Sequence, residues 1–487
     1  MAAARLLGNR RIQLDRLGGS SRGSWTCLAR PNPTWYLFWR GTARPVFGAE
    51  RMPARLPDWI GPLLALCALT LGFAAFAWWA GGGREFANDA PKLLEFARRP
   101  LVLWDNFQTS GLGRSWGSFP PLLPPLFGAL VYPWTLAFSD FWAIRLGALS
   151  WTSVLLIALW AVLAYVEDTP SRETRAALWL FAIVPTVWGA AGLIPEEEAF
   201  VGVFALALFW VGRLQHWKMA GPALLITAFA AKYFLLILLL PLAFASPRPW
   251  RNAFGWGALV AVALAAYLGY HKLRFDLVPV LSFNLEITHG HLSIWSLLWE
   301  FGVQPSHQVV TAVGVLGPGG LVTLWVVAAR RIGIDLTFVM AVTLYITLLL
   351  IPRSWPGYAL WVLPLALICW SRLPRSGTKV WVPLLMFAWS VGEWGSNVMR
   401  GVAVALGGDT TAGKGAVAAR VEQLLGPDFP YYVAHVACVA LVVASGLAFI
   451  VLFAHAGMKE AAARRGESSI HALPEQMGST VETARSS

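Results

Sequence analysis

A few chemically capable residues stand in a chain that is otherwise almost uniformly apolar. Residues 88–121 read NDAPKLLEFARRPLVLWDNFQTSGLGRSWGSFPP and gather acids, bases, amides and hydroxyls. Asp89 could act as a general base, taking a hydroxyl proton as a new bond forms. Asp105, in a Trp-Asp-Asn turn beside aromatic residues, competes for that role. A solvated loop carboxylate is the other reading of each. Lys232 interrupts the apolar run 219–244 near its middle. A lysine so placed needs a protein partner, water or an anionic ligand. Arg353 lies in PRSW at 352–355. Its fork suits phosphate oxygens; snorkelling to an interface is the alternative. Glu196, Glu197 and Glu198 could position a polar ligand, supply a base, bind a cation, or form a solvated acidic turn. His289 and His291 flank a glycine. They lack the i, i+4 spacing of a helical metal chelate, so substrate contact stands ahead of metal binding. Arg98, Arg99 and Arg114 suit lipid headgroups better than substrate.

The elements that must position these residues are membrane helices. Hydrophobic residues make up 57% of the chain and charged residues 13%, too few charges to cover soluble domains, which carry about 25%. Apolar runs of 18 residues or more recur along the chain, the signature of spans. In lipid the backbone must satisfy itself; with no period-2 barrel pattern the spans are helical. The net charge of +12 does not indicate nucleic acid, because the basic residues sit in short loops beside apolar spans rather than in one patch. None of the four cysteines pairs at metal-ligand or redox spacing. Many tryptophans, among them Trp59, Trp78, Trp79, Trp134 and Trp355, fall near span ends, where interfacial anchoring puts them.

Residues 1–57 carry ten arginines against Asp15 and Glu50. They read as a basic cytoplasmic extension, or as an over-extended start with Met52 the true one. The membrane domain is expected over 58–456, with a polar cytoplasmic tail at 457–487. Spans are expected at 59–80, 141–166, 176–194, 199–211, 254–270, 309–329, 336–351, 359–370, 380–398 and 431–453. Residues 119–134 are too short and Pro-broken to cross, and are expected to pack at or into the outer leaflet. Residues 219–244 have basic flanks on both sides, so the run should rise and return as a hairpin of two short arms with Lys232 near its tip. The expectation is an all-α polytopic protein of about 12 membrane segments. Large external loops fall at 81–139, 271–307 and 399–429, and both termini lie inside.

This pattern resembles the GT-C superfamily of membrane glycosyltransferases, and within it the bacterial polyprenyl-phosphate-mannose-dependent mannosyltransferases. The acid early in the first external loop corresponds to NDA at 88–90, and the Tyr-Pro-Pro or His-Pro-Pro turn that follows corresponds to FPPL at 119–122. IPEEE at 194–198 stands where the family has a Gly-Gln-Asp or Glu motif. AKYF around Lys232 stands at the basic residue of a short hairpin but lacks its Pro or Gly. HGHLS at 289–293 replaces an Asn-x-Ser-like motif, and PRSW matches a Pro-x-Ser-Trp motif. The likeness covers about residues 58–400.

The resemblance implies transfer of a hexose, mannose first, from a polyprenyl-phosphate donor to a glycolipid, glycan or protein acceptor at the extracytoplasmic face of the plasma membrane. Asp89 would be the base. Lys232 and Arg353 would meet the leaving phosphate, and Glu196–Glu198 and the two histidines the substrates. No cofactor is implied, and a divalent cation stays open. A polytopic transporter or lipid flippase is the rival reading.

Overall fold

The computed structural model describes residues 57–80, 94, 97–98, 123–193, 195, 197–231, 233–270, 292–303, 305–352, 354, 357–374, 377–405 and 429–485. All belong to the compact unit Ala49–Ser487. Every element among them is helical. In chain order these are α1 (Ile60–Ala80), α2 (Leu123–Thr135), α3 (Asp140–Ala161), α4 (Ser171–Ile183), α5 (Pro185–Gly192), α6 (Glu198–Arg213), α7 (Trp217–Ala230), α8 (Leu239–Ala245), α9 (Pro249–Tyr270), α10 (Ile294–Glu300), α11 (His307–Thr311), α12 (Gly317–Ile332), α13 (Leu336–Leu350), α14 (Leu363–Arg372), α15 (Thr378–Ala405) and α16 (Phe429–Arg485). Short 3₁₀ turns at Tyr233–Leu238 and Tyr358–Trp361 precede α8 and α14.

Among the described residues four helices are long and apolar enough to cross a membrane: Ile60–Trp79, Asp140–Val166, Gln308–Ile332 and Val436–Arg465. The pair α4–α5 makes a fifth if its two halves, bent by 45°, form one span. The bend has a local cause. Val184 precedes Pro185, whose ring disfavours helical geometry in the residue before it, and Val184 is extended at ψ 125°.

The segment expected at the outer leaflet is α2, and it packs lengthwise on α3. The Trp151 indole N–H donates to the Phe127 carbonyl at 3.1 Å and that of Trp134 to Ser150 at 3.1 Å. Phe127 thus meets a residue eleven positions into α3, about 16 Å along its axis.

The hairpin over 219–244 is present as α7, an interruption, a 3₁₀ turn and α8. Ala231 leaves helical geometry at φ −122°, ψ −173°. A side chain at Gly221 would meet Trp256 and Leu259 of α9, and Leu239 lies against Gly257 on the same stretch. The chain therefore advances through α7 and returns through α8 to the same level of α9. From Gly221 to the tip is about 15 Å at 1.5 Å per residue, short of the ~30 Å hydrocarbon core.

The end of the bundle with the short basic loops is closed by one network of six charges. Arg213 at the end of α6 donates to Glu167 at 2.6 Å and reaches Asp335 at 3.5 Å. Arg372 at the end of α14 meets Asp335 at 2.6 Å, Glu460 at 2.6 Å and Glu167 at 3.6 Å. Arg464 pairs with Glu460 and lies 3.6 Å from Asp335. Asp335 also caps α13, accepting from the Thr337 N–H at 3.0 Å and its hydroxyl at 2.8 Å. Burial alone would raise the Asp335 carboxyl; Arg372 and Arg213 outweigh it and hold the group well below the ordinary carboxylate range. Glu460 and Arg464 lie on the last helix, which runs on through Arg485, and tie its first turns past the apolar run into this network.

Candidate functional site

Opposite that network, about 24 Å along the 16-residue α6, several interrupted segments meet. Their backbone leaves helical geometry inside an apolar bundle, so its polar groups need partners from neighbouring elements. The turn that follows α13 is the hub. The Leu292 N–H donates to the Ser354 carbonyl at 2.8 Å. The Ser293 hydroxyl donates to the Pro352 carbonyl at 3.0 Å and the Trp295 indole to the Leu350 carbonyl at 2.8 Å. The start of α10 thus takes up the carbonyls at the end of α13. Ser354 and Ser293 are both buried.

Three residues on, Gly357 adopts φ +94°, a left-handed conformation that glycine takes without steric cost. This reversal starts the 3₁₀ turn Tyr358–Trp361, which packs on α6. A side chain at Gly202 would stand 2.6 Å from the Leu360 carbonyl oxygen, so glycine permits that approach.

Trp361 is the centre of the region and is fully buried. Tyr358 stacks on it at 4.2 Å between centroids, and Phe234, from the tip of the hairpin, at 6.2 Å. Its indole N–H donates to Glu198 Oε2 at the start of α6. Two of the three glutamates of the acidic turn are therefore not solvated: Glu197 and Glu198 are 2% and 1% exposed. Replacing Trp361 by Phe keeps the ring stack and removes the N–H that Glu198 accepts. This is expected to cost about 1–3 kcal/mol, read as a lower unfolding midpoint in detergent.

Arg145 holds the other side of the same turn. It is 1% exposed. It donates to the carbonyls of Gly192 at 2.8 Å, Leu193 at 3.2 Å and Phe141 at 3.0 Å. Its guanidinium lies 3.5 Å from the Phe141 ring centroid. The residues just before the acidic turn are thereby fixed to α3.

Of the residues singled out from the sequence, Glu197 and Glu198 are placed here. Asp89, Asp105, Glu196, Lys232, His289, His291 and Arg353 lie outside the described residues. The described neighbours of four motifs nonetheless share one region: Glu197 and Glu198 of IPEEE, Phe234 of AKYF, Leu292 and Ser293 of HGHLS, and Pro352 and Ser354 of PRSW. Arg145 and Glu393 were not anticipated. Both are lone charges inside apolar runs, FWAIRLGAL and SVGEWGS, and the rule that marked Lys232 applies equally to them. Among the described residues no group of three or more His, Cys, Asp or Glu side chains is placed to hold a metal ion. No protein-family model, curated protein or solved structure matches this chain.

Proposed function

We propose that this protein is a polytopic membrane glycosyltransferase of GT-C-like architecture, with about 12 membrane segments. It moves a hexose from a polyprenyl-phosphate carrier to an acceptor hydroxyl outside the plasma membrane. One observation carries this reading: the segments bearing IPEEE, AKYF, HGHLS and PRSW, far apart in sequence, come together at one end of the bundle around Trp361.

In the proposed reaction the acceptor oxygen attacks the anomeric carbon, and Asp89 takes the hydroxyl proton, with Asp105 as the competing base. The bond from that carbon to the phosphate oxygen breaks, its electron pair leaves with the polyprenyl phosphate, and configuration inverts. Phosphate is a good leaving group, so cationic and hydrogen-bonding contacts suffice on that side. Lys232 and Arg353 are the proposed contacts. Glu196, Glu197, His289 and His291 are proposed to border the substrates, and Glu198 to hold Trp361 at their edge. The acceptor is a glycolipid, a glycan or a protein.

The test is to incubate the purified protein in liposomes with radiolabelled polyprenyl-phosphate mannose, glucose and galactose and a mixed acceptor extract. Transfer from one of them supports the reading; label that stays on every carrier removes it. The rival transporter or flippase reading has its own observation, because discontinuous helices are also how transporters build mid-membrane sites. The 45° bend of α4–α5 and the break at Ala231 are such interruptions. Movement of the labelled lipid across the same liposomes without transfer would favour it.

A further inference from the structure

Glu393 lies in the long helix α15 and is 1% exposed. Its two carboxylate oxygens go to two different interruptions of helical backbone. Oε1 accepts the Gly357 N–H at 2.6 Å, at the residue whose positive φ reverses the chain after PRSW. Oε2 accepts the hydroxyl of Thr186, in the first turn of α5 beyond the Val184–Pro185 break. Ser390, one turn earlier on α15, accepts the Thr186 N–H at 3.3 Å and meets its hydroxyl at 2.9 Å. The first N–H groups of a helix have no partner within it, and a negative charge at a helix N-terminus is favourable. Two side chains of α15 thus serve the broken segments: Ser390 takes the Thr186 N–H, and Glu393 takes the Gly357 N–H and the Thr186 hydroxyl, so that Glu393 alone bridges the two.

We propose that Glu393 is a positioning residue: by joining Gly357 to Thr186 it fixes Gly357, and with it the described residues Pro352 and Ser354 on the phosphate-binding side of the proposed site, against α5. The link to substrate rests on the glycosyltransferase reading above; the link between the two segments does not. In this proposal Glu393 acts through the backbone of the turn, at the Gly357 N–H, rather than on substrate.

The experiment has two arms. In the first, Ser354 is replaced by Cys in a chain whose four native cysteines are removed, and its labelling by a maleimide is timed. Ser354 is buried, so the reaction should be slow. Adding Glu393→Ala should raise the rate roughly tenfold, the scale of a lost hydrogen bond to a buried charge. Glu393→Gln keeps an acceptor for the Gly357 N–H and should label within about twofold of the parent. An unchanged rate in Glu393→Ala, or equal rates in Ala and Gln, overturns the proposal. Should Glu393→Ala fail to fold, Thr186→Val removes only the hydroxyl; a several-fold faster rate is expected, and no change overturns the proposal.

In the second arm, donor kinetics are measured with polyprenyl-phosphate sugar. A displaced turn should raise donor KM by roughly tenfold in Glu393→Ala, with kcat less affected and Glu393→Gln rescuing both. A kcat loss shared by Ala and Gln would make the charge itself the requirement and overturn the positioning role. An unaltered protein that transfers from no donor removes the function proposed above, while the labelling arm still decides whether Glu393 holds the turn.

Discussion

Asp89→Asn is expected to lower transfer by about 10²–10⁴-fold, the usual contribution of a positioned general base. The amide keeps the size of the side chain and one acceptor oxygen, but its NH2 only donates and cannot take the acceptor proton. Because the proton moves only as the new bond forms, the loss should fall on kcat and leave donor KM nearly unchanged. Asp105→Asn run beside it separates the two candidates: the base is the residue whose amide variant loses turnover. The measurement is initial rate against donor concentration, on variants shown to be inserted and monodisperse. Full turnover by correctly inserted Asp89→Asn would remove Asp89 from the mechanism, and if Asp105→Asn were also fully active the base would lie elsewhere.

Asp335→Ala should destabilise the folded protein by about 3–5 kcal/mol, the range for breaking a buried ion pair from one side. Asp335 accepts from Arg372 and from Thr337, and Arg213 and Arg464 stand close by. Its removal strips partners from three guanidiniums at once and uncaps α13. The same carboxylate gives the acid limb of stability a defined direction. Its folded-state pKa lies below the ordinary value. The stabilisation is therefore complete above about pH 4, the unfolded aspartate value, and is lost as pH falls from there toward the folded value. Unfolding midpoints in detergent, followed from pH 7 down to pH 3, check both statements. The Asp335→Ala protein should start lower and fall less steeply over the acid range. An unchanged midpoint at pH 7 would show that the network carries no stability.

Arg372 also illustrates how far the basic loops could be read in advance. In the sequence Arg213 and Arg372 are basic residues at the ends of apolar runs, and the chain by itself names no partner for them. Both are half-buried: Arg213 pairs with Glu167, 46 positions away, and Arg372 with Asp335 and Glu460, 37 and 88 positions away. Charge and hydropathy are local properties of the chain; the choice of partner across five segments is not.

The division runs through the whole molecule. Local chemistry was enough to establish that the fold is helical, because runs such as 60–80 and 141–161 have the length and apolarity of spans. It also indicated the hairpin, since a run of 26 almost all apolar residues between two basic flanks cannot cross the bilayer twice at full depth. The bend at Pro185 is not read from the chain, where 176–194 stands as one span, although the residue before a proline carries its local cause. Nor is the state of the acidic turn: three adjacent glutamates read as readily as a solvated loop. Only the packing of the Tyr358–Trp361 turn on α6 buries Glu198 against an indole donated from 163 positions away. Glu393 makes the same point from the other side. Its neighbours in sequence say that a carboxylate inside a span needs partners. Which partners, the Thr186 hydroxyl and the Gly357 N–H, was decided by three helices meeting, because hydrogen-bond satisfaction in a water-poor interior is settled by what lies nearby in space rather than along the chain.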